Sequence, residues 1–173
     1  KVLIVTNSAA GLTSLLLGIL VVTNSVQIWH VMALAFTLGI ADSFGQPARL
    51  SFTSEMVGKA DVPNAVSLNS ANFNLGRLVG PALSGLLIAA FGTGPAFLIN
   101  ASTYVLVIIV LAIIRESELF LEPRIPGPNT IREGLKYVLA RPDLFVVMAV
   151  VFFVTTFGLN FQLFNALMAT KVF

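Results

Sequence analysis

Cysteine is absent from the chain, and charge is scarce: Asp, Glu, Lys and Arg together make up 10% of it. Without cysteine there is no disulfide framework and no thiolate metal site. The single histidine, His30, leaves no pair at metal-ligand spacing, and no nucleophile with a neighbouring base is visible, so an enzyme is not expected and no cofactor or metal is called for. Soluble domains carry roughly 25% charged residues. Here 57% of the 173 residues are hydrophobic and the mean hydropathy is +0.93. A soluble fold of this size has too little interior for that much apolar surface, so lipid is the expected solvent. The net charge of +2 is small and gives no footing for a nucleic-acid partner. Residues 1–25 lack the short core and cleavage site of a signal peptide. The chain begins with Lys1 and Val2, and this start is expected to be a cut inside a longer protein.

Five apolar segments follow one another. Val2 to Val22 is long enough to cross a core of about 30 Å at roughly 1.5 Å per residue, and Thr23, Asn24 and Ser25 interrupt it. Ile28 to about Arg49 is the second, opening on Trp29 and His30, whose rings suit the membrane interface. A polar loop with Glu55, Lys59, Asp61 and Pro63 separates it from the third, about Ala65 to Ala90. Gly92 to Pro95 makes a tight turn before the fourth, Ala96 to Ile114. Residues 115–142, with Pro123, Pro126 and Pro128, are too polar to span; the fifth segment runs from about Asp143 to Met168. Within the polar stretch, Thr130 and Glu133 fit a capping box, and Ile131, Leu135 and Val138 recur at helical spacing beside Arg132 and Lys136. This predicts a short amphipathic helix at the membrane surface, ending before Pro142. The expected fold is an all-α integral membrane bundle of about five spans. Residues 1–114 form its first part, 115–142 a loop and 143–173 the first helix of a second part.

The basic residues orient it. If the spans alternate, Lys1, Arg49, Lys59, Arg115, Arg124, Arg132, Lys136 and Arg141 fall on one side and only Lys171 on the other, with Arg77 inside a span. That bias marks the crowded side, including 115–142, as cytoplasmic.

The third span carries the most chemistry. At 100° per residue, Asn72, Gly76, Gly80 and Ser84 form one stripe, flanked by Asn69 and Arg77, with Leu75, Leu78, Val79, Ala82 and Leu86 opposite. Small residues at this spacing admit a second helix closely. Pro81 removes a backbone donor and favours a bend. The stripe fits a static packing seam or a seam that slides between moving parts. Arg77 and Asp42 are charges inside spans, which cost roughly 2.5–3.5 kcal/mol on insertion scales and are expected to face protein or a wet cavity. Counted from the cytoplasmic boundary, Asp42 lies about 10 Å deep and Arg77 about 13 Å. Similar depth and opposite sign suggest an ion pair, structural or functional.

The run Gly76-Arg77-Leu78-Val79-Gly80-Pro81-Ala82-Leu83-Ser84-Gly85 resembles the antiporter motif in the fifth helix of drug:proton antiporters of the major facilitator superfamily, with Ser84 replacing the first glycine of its closing pair. Asp42-Ser-Phe-Gly-Gln-Pro47-Ala-Arg49, Asn64-Ala-Val-Ser-Leu-Asn69 and Asn74-Leu-Gly-Arg77 are similar to the branch holding the enterobactin exporter and macrolide efflux proteins. The resemblance covers nearly the whole chain. It implies helices three to seven of a twelve-helix transporter, a partial major facilitator-type bundle, with 115–142 as the central loop between halves. One departure stands out: many drug antiporters place an arginine four residues before a glycine of the fourth helix, and here that position, before Gly39, is Ala35. The implied function is proton-coupled export of an amphipathic small molecule, of drug or siderophore class, by alternating access. Uptake on the same fold and a non-transporting scaffold are the alternatives. The implied partners are the lipid bilayer, a small-molecule substrate and protons. Asp42, with Arg77 as partner, is the proton-coupling candidate; Glu55 lies too near the surface. Asn69, Asn72, Asn100, Thr155, Thr156, Asn160, Gln162 and Asn165 could hydrogen-bond a substrate or join helices.

The orientation is testable in cells. In the longer protein, Ser25→Cys is expected to react with an impermeant thiol reagent applied outside, and Lys59→Cys to stay protected. The reverse labelling would refute it.

Overall fold

The computed structural model describes residues 1–121 and 131–158. The chain divides into two compact units, Lys1–Glu122 and Pro123–Phe173. Every regular element among the described residues is helical. The first unit holds α1 (Val2–Val22), α2 (Ile28–Val57), α3 (Val62–Phe91) and α4 (Thr93–Ile113). All four are long and apolar enough to cross a membrane. The second holds α5 (Ile131–Leu139) and α6 (Pro142–Phe153), the latter continued by a π turn over Val154–Gly158.

Local chemistry sets each boundary. α1 ends where Asn24 takes the left-handed conformation (φ 53°). Its N–H bonds the Val21 carbonyl at 3.1 Å, and the Ser25 N–H reaches Leu20 at 2.9 Å. This pair satisfies carbonyls left free by the helix, and asparagine tolerates the geometry better than most residues. Gln27 caps α2, and its N–H donates to Nδ1 of His30 at 3.1 Å, so the one histidine serves a helix start. α2 then runs through Pro47 and past Arg49 to Val57, farther than the apolar segment predicts. Its 30 residues measure about 45 Å against a hydrocarbon core of about 30 Å. The drop in hydropathy at Arg49 therefore marks the edge of the lipid rather than the end of the helix. Gly58 stops α2 at φ 75°, and Pro63 sits in the first turn of α3, where its missing N–H costs nothing. The expected turn at 92–95 shrinks to Gly92 (φ 85°); Thr93, Gly94 and Pro95 are already helical.

The core of the first unit is the contact between α1 and α4. Gly11 meets Tyr104, Ser14 meets Asn100, Gly18 meets Leu98 and Gly94 meets Val22. Numbers rise on α1 as they fall on α4, so the helices are antiparallel and in contact along most of their length. A β-carbon on Gly18 would lie 2.7 Å from Leu98 Cδ2 and 3.2 Å from the Leu98 backbone nitrogen. One on Gly94 would lie 2.7 Å from Val22 Cγ2. Ala10, Thr13, Ser14 and Ala101 are buried in or beside this seam. α2 packs on α1 through Ala41 and Gly45, the latter against Thr6. α3 buries no residue.

After α4 the chain folds back. The Phe120 N–H donates to the Glu55 carbonyl at 2.7 Å, one of those the end of α2 leaves unbonded. Its ring lies 3.4 Å from where a Gly58 β-carbon would sit. Residues 115–121, expected to open the central loop, are thus fastened to the end of α2. The bond also sets Arg115 at the same end of the unit as Lys59, and the Thr6–Gly45 contact brings the start of α1 there.

In the second unit α5 falls where the amphipathic pattern predicts it. Its proposed cap, Thr130, and the far part of the fifth segment, 159–168, lie outside the described residues.

Gly18→Val is expected to destabilise the protein by about 1–3 kcal/mol, the usual cost of overpacking. Gly39→Val serves as control, because nothing lies within 4 Å of a β-carbon there. Thermal unfolding in detergent compares the two, and equal midpoints would show that the α1–α4 contact is loose.

Candidate functional site

Asp42 and Arg77 each fall midway along a 30-residue helix. The expected pair between them is not formed: among the described residues no ion pair joins the two. The Arg77 guanidinium instead lies over the Phe73 ring, 5.9 Å from its centroid and one turn back on the same helix. Arg77 is exposed, on a helix that buries no residue. The reason is packing: α2 is held against α1 through Ala41 and Gly45, whereas α3 has at most half-buried positions. Asp42 sits beside the buried Ala41 and three residues from Gly45. Tyr104 crosses α1 at Gly11, where its Cβ comes within 3.0 Å of the position a glycine β-carbon would take. A side chain on Gly11 would displace it. Nothing in the sequence reading singled out Tyr104. The signal was there in the spacing of Gly11, Ser14 and Gly18, a small-residue stripe on α1 of the kind noted only on α3.

The polar candidates divide by their hydrogen bonds. Asn100 donates from Nδ2 to Ser14 Oγ at 2.7 Å, joining α4 to α1. Such bonds between membrane helices contribute about 0.6 kcal/mol on average. Thr155 bonds the Val151 carbonyl one turn back at 2.7 Å, inside the π turn. On α3, Asn69 is half-buried and Asn72 exposed. Asn160, Gln162 and Asn165 lie outside the described residues.

The antiporter-like run is continuous with α3. Gly76, Gly80 and Gly85 have nothing within 4 Å of a β-carbon placed on them, so in this unit the stripe is open. Pro81 stays within the helix and leaves the Arg77 carbonyl without its usual donor. Ser84 borders a cavity of about 410 Å³ between α3 and α4, shared with Thr93, Phe97, Asn100 and Thr103. Between α1 and α2 a second cavity, about 510 Å³, is lined almost wholly by apolar groups, among them Val5, Ala9, Phe36, Ile40 and Phe44.

Span-length helices that carry glycine stripes, internal prolines and single charges at membrane depth are the architecture of a polytopic membrane transporter rather than an enzyme. The chain belongs to the transmembrane secretion effector family of the major facilitator superfamily, whose model matches residues 1–167. It is similar to the uncharacterized transporter YfiS of Bacillus subtilis, 29% identical over 140 residues, 76% of this chain and 34% of that protein. It is similar to the multidrug efflux pump Tap of Mycolicibacterium fortuitum, 27% identical over 156 residues, 83% of this chain and 37% of the pump. It is also similar to the staphyloferrin A transporter of Staphylococcus aureus, 25% identical over 111 residues, 64% of this chain and 28% of the transporter. The chain thus spans about a third of the length of these relatives. No solved structure matches it.

Because the Gly80 face is open, Gly80→Leu in the longer protein is expected to leave the folded yield near wild type while impairing transport. Loss of the folded protein would mean that the face is buried in a static contact. Unchanged transport would mean that no helix approaches it during the cycle.

Proposed function

We propose that the whole protein is a proton-coupled exporter of amphipathic small molecules in the plasma membrane, working by alternating access. The family match over residues 1–167 carries this reading, and the similarity to a multidrug efflux pump favours export. Two helical halves would rock around a central cavity and open it to each side in turn. The first unit described above supplies four helices of one half.

Coupling requires a titratable group whose protonation differs between the two open states. A carboxylate locked to an arginine would stay charged throughout. Asp42 has no such lock among the described residues. It stands midway along α2, next to the buried Ala41. That arrangement supports Asp42 as the proton carrier better than the paired arrangement would. Arg77 stands apart, so the two charges act at separate places. Asn69, Asn72 and Asn160 remain candidates for substrate contact, whereas Asn100 is committed to Ser14.

The test uses the full-length protein in proteoliposomes, with ethidium as the transported probe and an imposed pH gradient. Ethidium is expected to move against the proton flow. Asp42→Asn is expected to abolish gradient-driven movement while keeping ethidium binding, and Arg77→Gln to leave the coupling in place. Movement with the proton flow would indicate uptake. No movement under either gradient would indicate a scaffold. Full gradient-driven export by Asp42→Asn would place the proton elsewhere.

A further inference from the structure

α5 is nine residues long and is followed after only Ala140 and Arg141 by α6. Between the stretch Arg132–Leu139 and the stretch Pro142–Gly158 the axis turns by 102°. α6 is apolar beyond Asp143 in its first turn, and if it enters the membrane it holds α5 at that entry. Two linking residues reach at most about 7 Å, so α5 cannot leave the headgroup region. A helix turned through about a right angle from a span that crosses with ordinary tilt, about 20° on average, lies close to the membrane plane. The corner is held by Arg141, whose Nε and one terminal nitrogen donate to the Asp143 carboxylate at 3.0 and 2.6 Å. This fork neutralises both charges where the chain turns inward.

The faces of α5 match that position. Leu135, Val138 and Leu139 fall on one arc at 100° per residue. Leu135 and Leu139 are 59% and 62% exposed. Arg132 and Lys136, one turn apart, lie on the edge of this arc, and Glu133 lies beyond them. Long basic side chains at such an edge can bury their stems and hold their charges at phosphate level.

We propose that α5 is a membrane-surface anchor: Leu135, Val138 and Leu139 sit in the acyl boundary of the cytoplasmic leaflet, and Arg132 and Lys136 bind its anionic headgroups. So short a helix binds lipid weakly by itself. Tethering to α6 keeps it at the surface, so each encounter is intramolecular and few side chains suffice. The anchor holds the residues that lead into α6 against the leaflet. It depends on α6 crossing the membrane and not on what the protein transports.

The test places nitroxide labels on Leu135→Cys, Leu139→Cys and Glu133→Cys of the full-length protein, in a background without other cysteines. The vesicles are phosphatidylcholine with or without 30% phosphatidylglycerol, about the anionic fraction that gives a surface potential able to attract basic side chains. Labels at 135 and 139 are expected to be relaxed by oxygen more than by an aqueous nickel chelate, and the label at 133 the reverse. The second apolar position keeps the result readable if one variant fails to fold. Chelate access at all three sites would overturn the anchor, and shielding of 135 and 139 from both reagents would mean that protein covers the face instead. The 135 label is also expected to sit deeper when phosphatidylglycerol is present. Arg132→Gln with Lys136→Gln should remove that difference. Equal depth in both lipids for the unsubstituted helix would overturn the headgroup contact.

Discussion

The close approach of α1 and α4 is the contact on which the first unit depends. Between helices in lipid there is little hydrophobic drive, because acyl chains are as apolar as leucine. What remains is dispersion, which falls off steeply with distance, so only residues that let backbones come near yield much of it. Gly11, Gly18 and Gly94 do this at three levels, and the Asn100–Ser14 bond adds a directional link between the lower two. α2 joins the pair through another glycine, Gly45, set against Thr6. α4 and α2 are then tied at the end of the unit by the Phe120 N–H on the Glu55 carbonyl. The ring of contacts closes through one seam, one secondary contact and one strap. Loosening the seam would leave the other two with nothing to brace.

Polar groups in this setting are mostly satisfied within a single helix. The hydroxyls of Thr13, Thr37, Ser43, Ser67 and Ser70 each bond a carbonyl three or four residues back, at 2.8 or 2.9 Å. In hydrocarbon this is the cheapest partner available, since no water competes and the acceptor is always present. A serine or threonine in a span is therefore weak evidence for a substrate site. An amide is different, because its two donors exceed what one carbonyl accepts. Asn7 turns back to the Leu3 carbonyl at 2.7 Å, whereas Asn100 crosses to another helix. Among the described residues the amides on α3 have neither kind of partner, which is why they keep their interest.

The spans were legible because hydropathy and helical length are properties of a single segment. α1 matches its predicted limits, and the other three helices of the first unit differ by where helix outlasts lipid: α2 continues through Pro47 to Val57, and α4 starts at Thr93. The motif on α3 was legible for the same reason, as a pattern along one helix. What sequence reading missed are relations between helices. Asp42 and Arg77 sit at matching places along their helices, yet no ion pair joins them among the described residues, and place along the helix alone was read. The seam lies on α1 and α4, whose glycines are seven apart on one helix and single on the other, so neither shows the dense stripe that drew attention to α3. Phe120 bonds a carbonyl on α2 through its backbone, which no residue type announces.

The difference between α1 and α3 then bears on how the two helices are stabilised. α1 buries Ala10, Thr13, Ser14 and Gly18 and has its small residues filled by α4. α3 buries nothing, carries a guanidinium at mid-length, and has three glycines with open space beside them. A charge facing acyl chains costs several kcal/mol, and empty grooves forfeit the dispersion that close packing supplies. Neither is compensated inside the first unit, so α3 draws little of its stability from the helices around it. Its position is then set by whatever protein or water meets Arg77 and the glycines. The α1–α4 pair, by contrast, is held by contacts of its own, so α3 is the helix of this unit whose placement depends most on groups outside it.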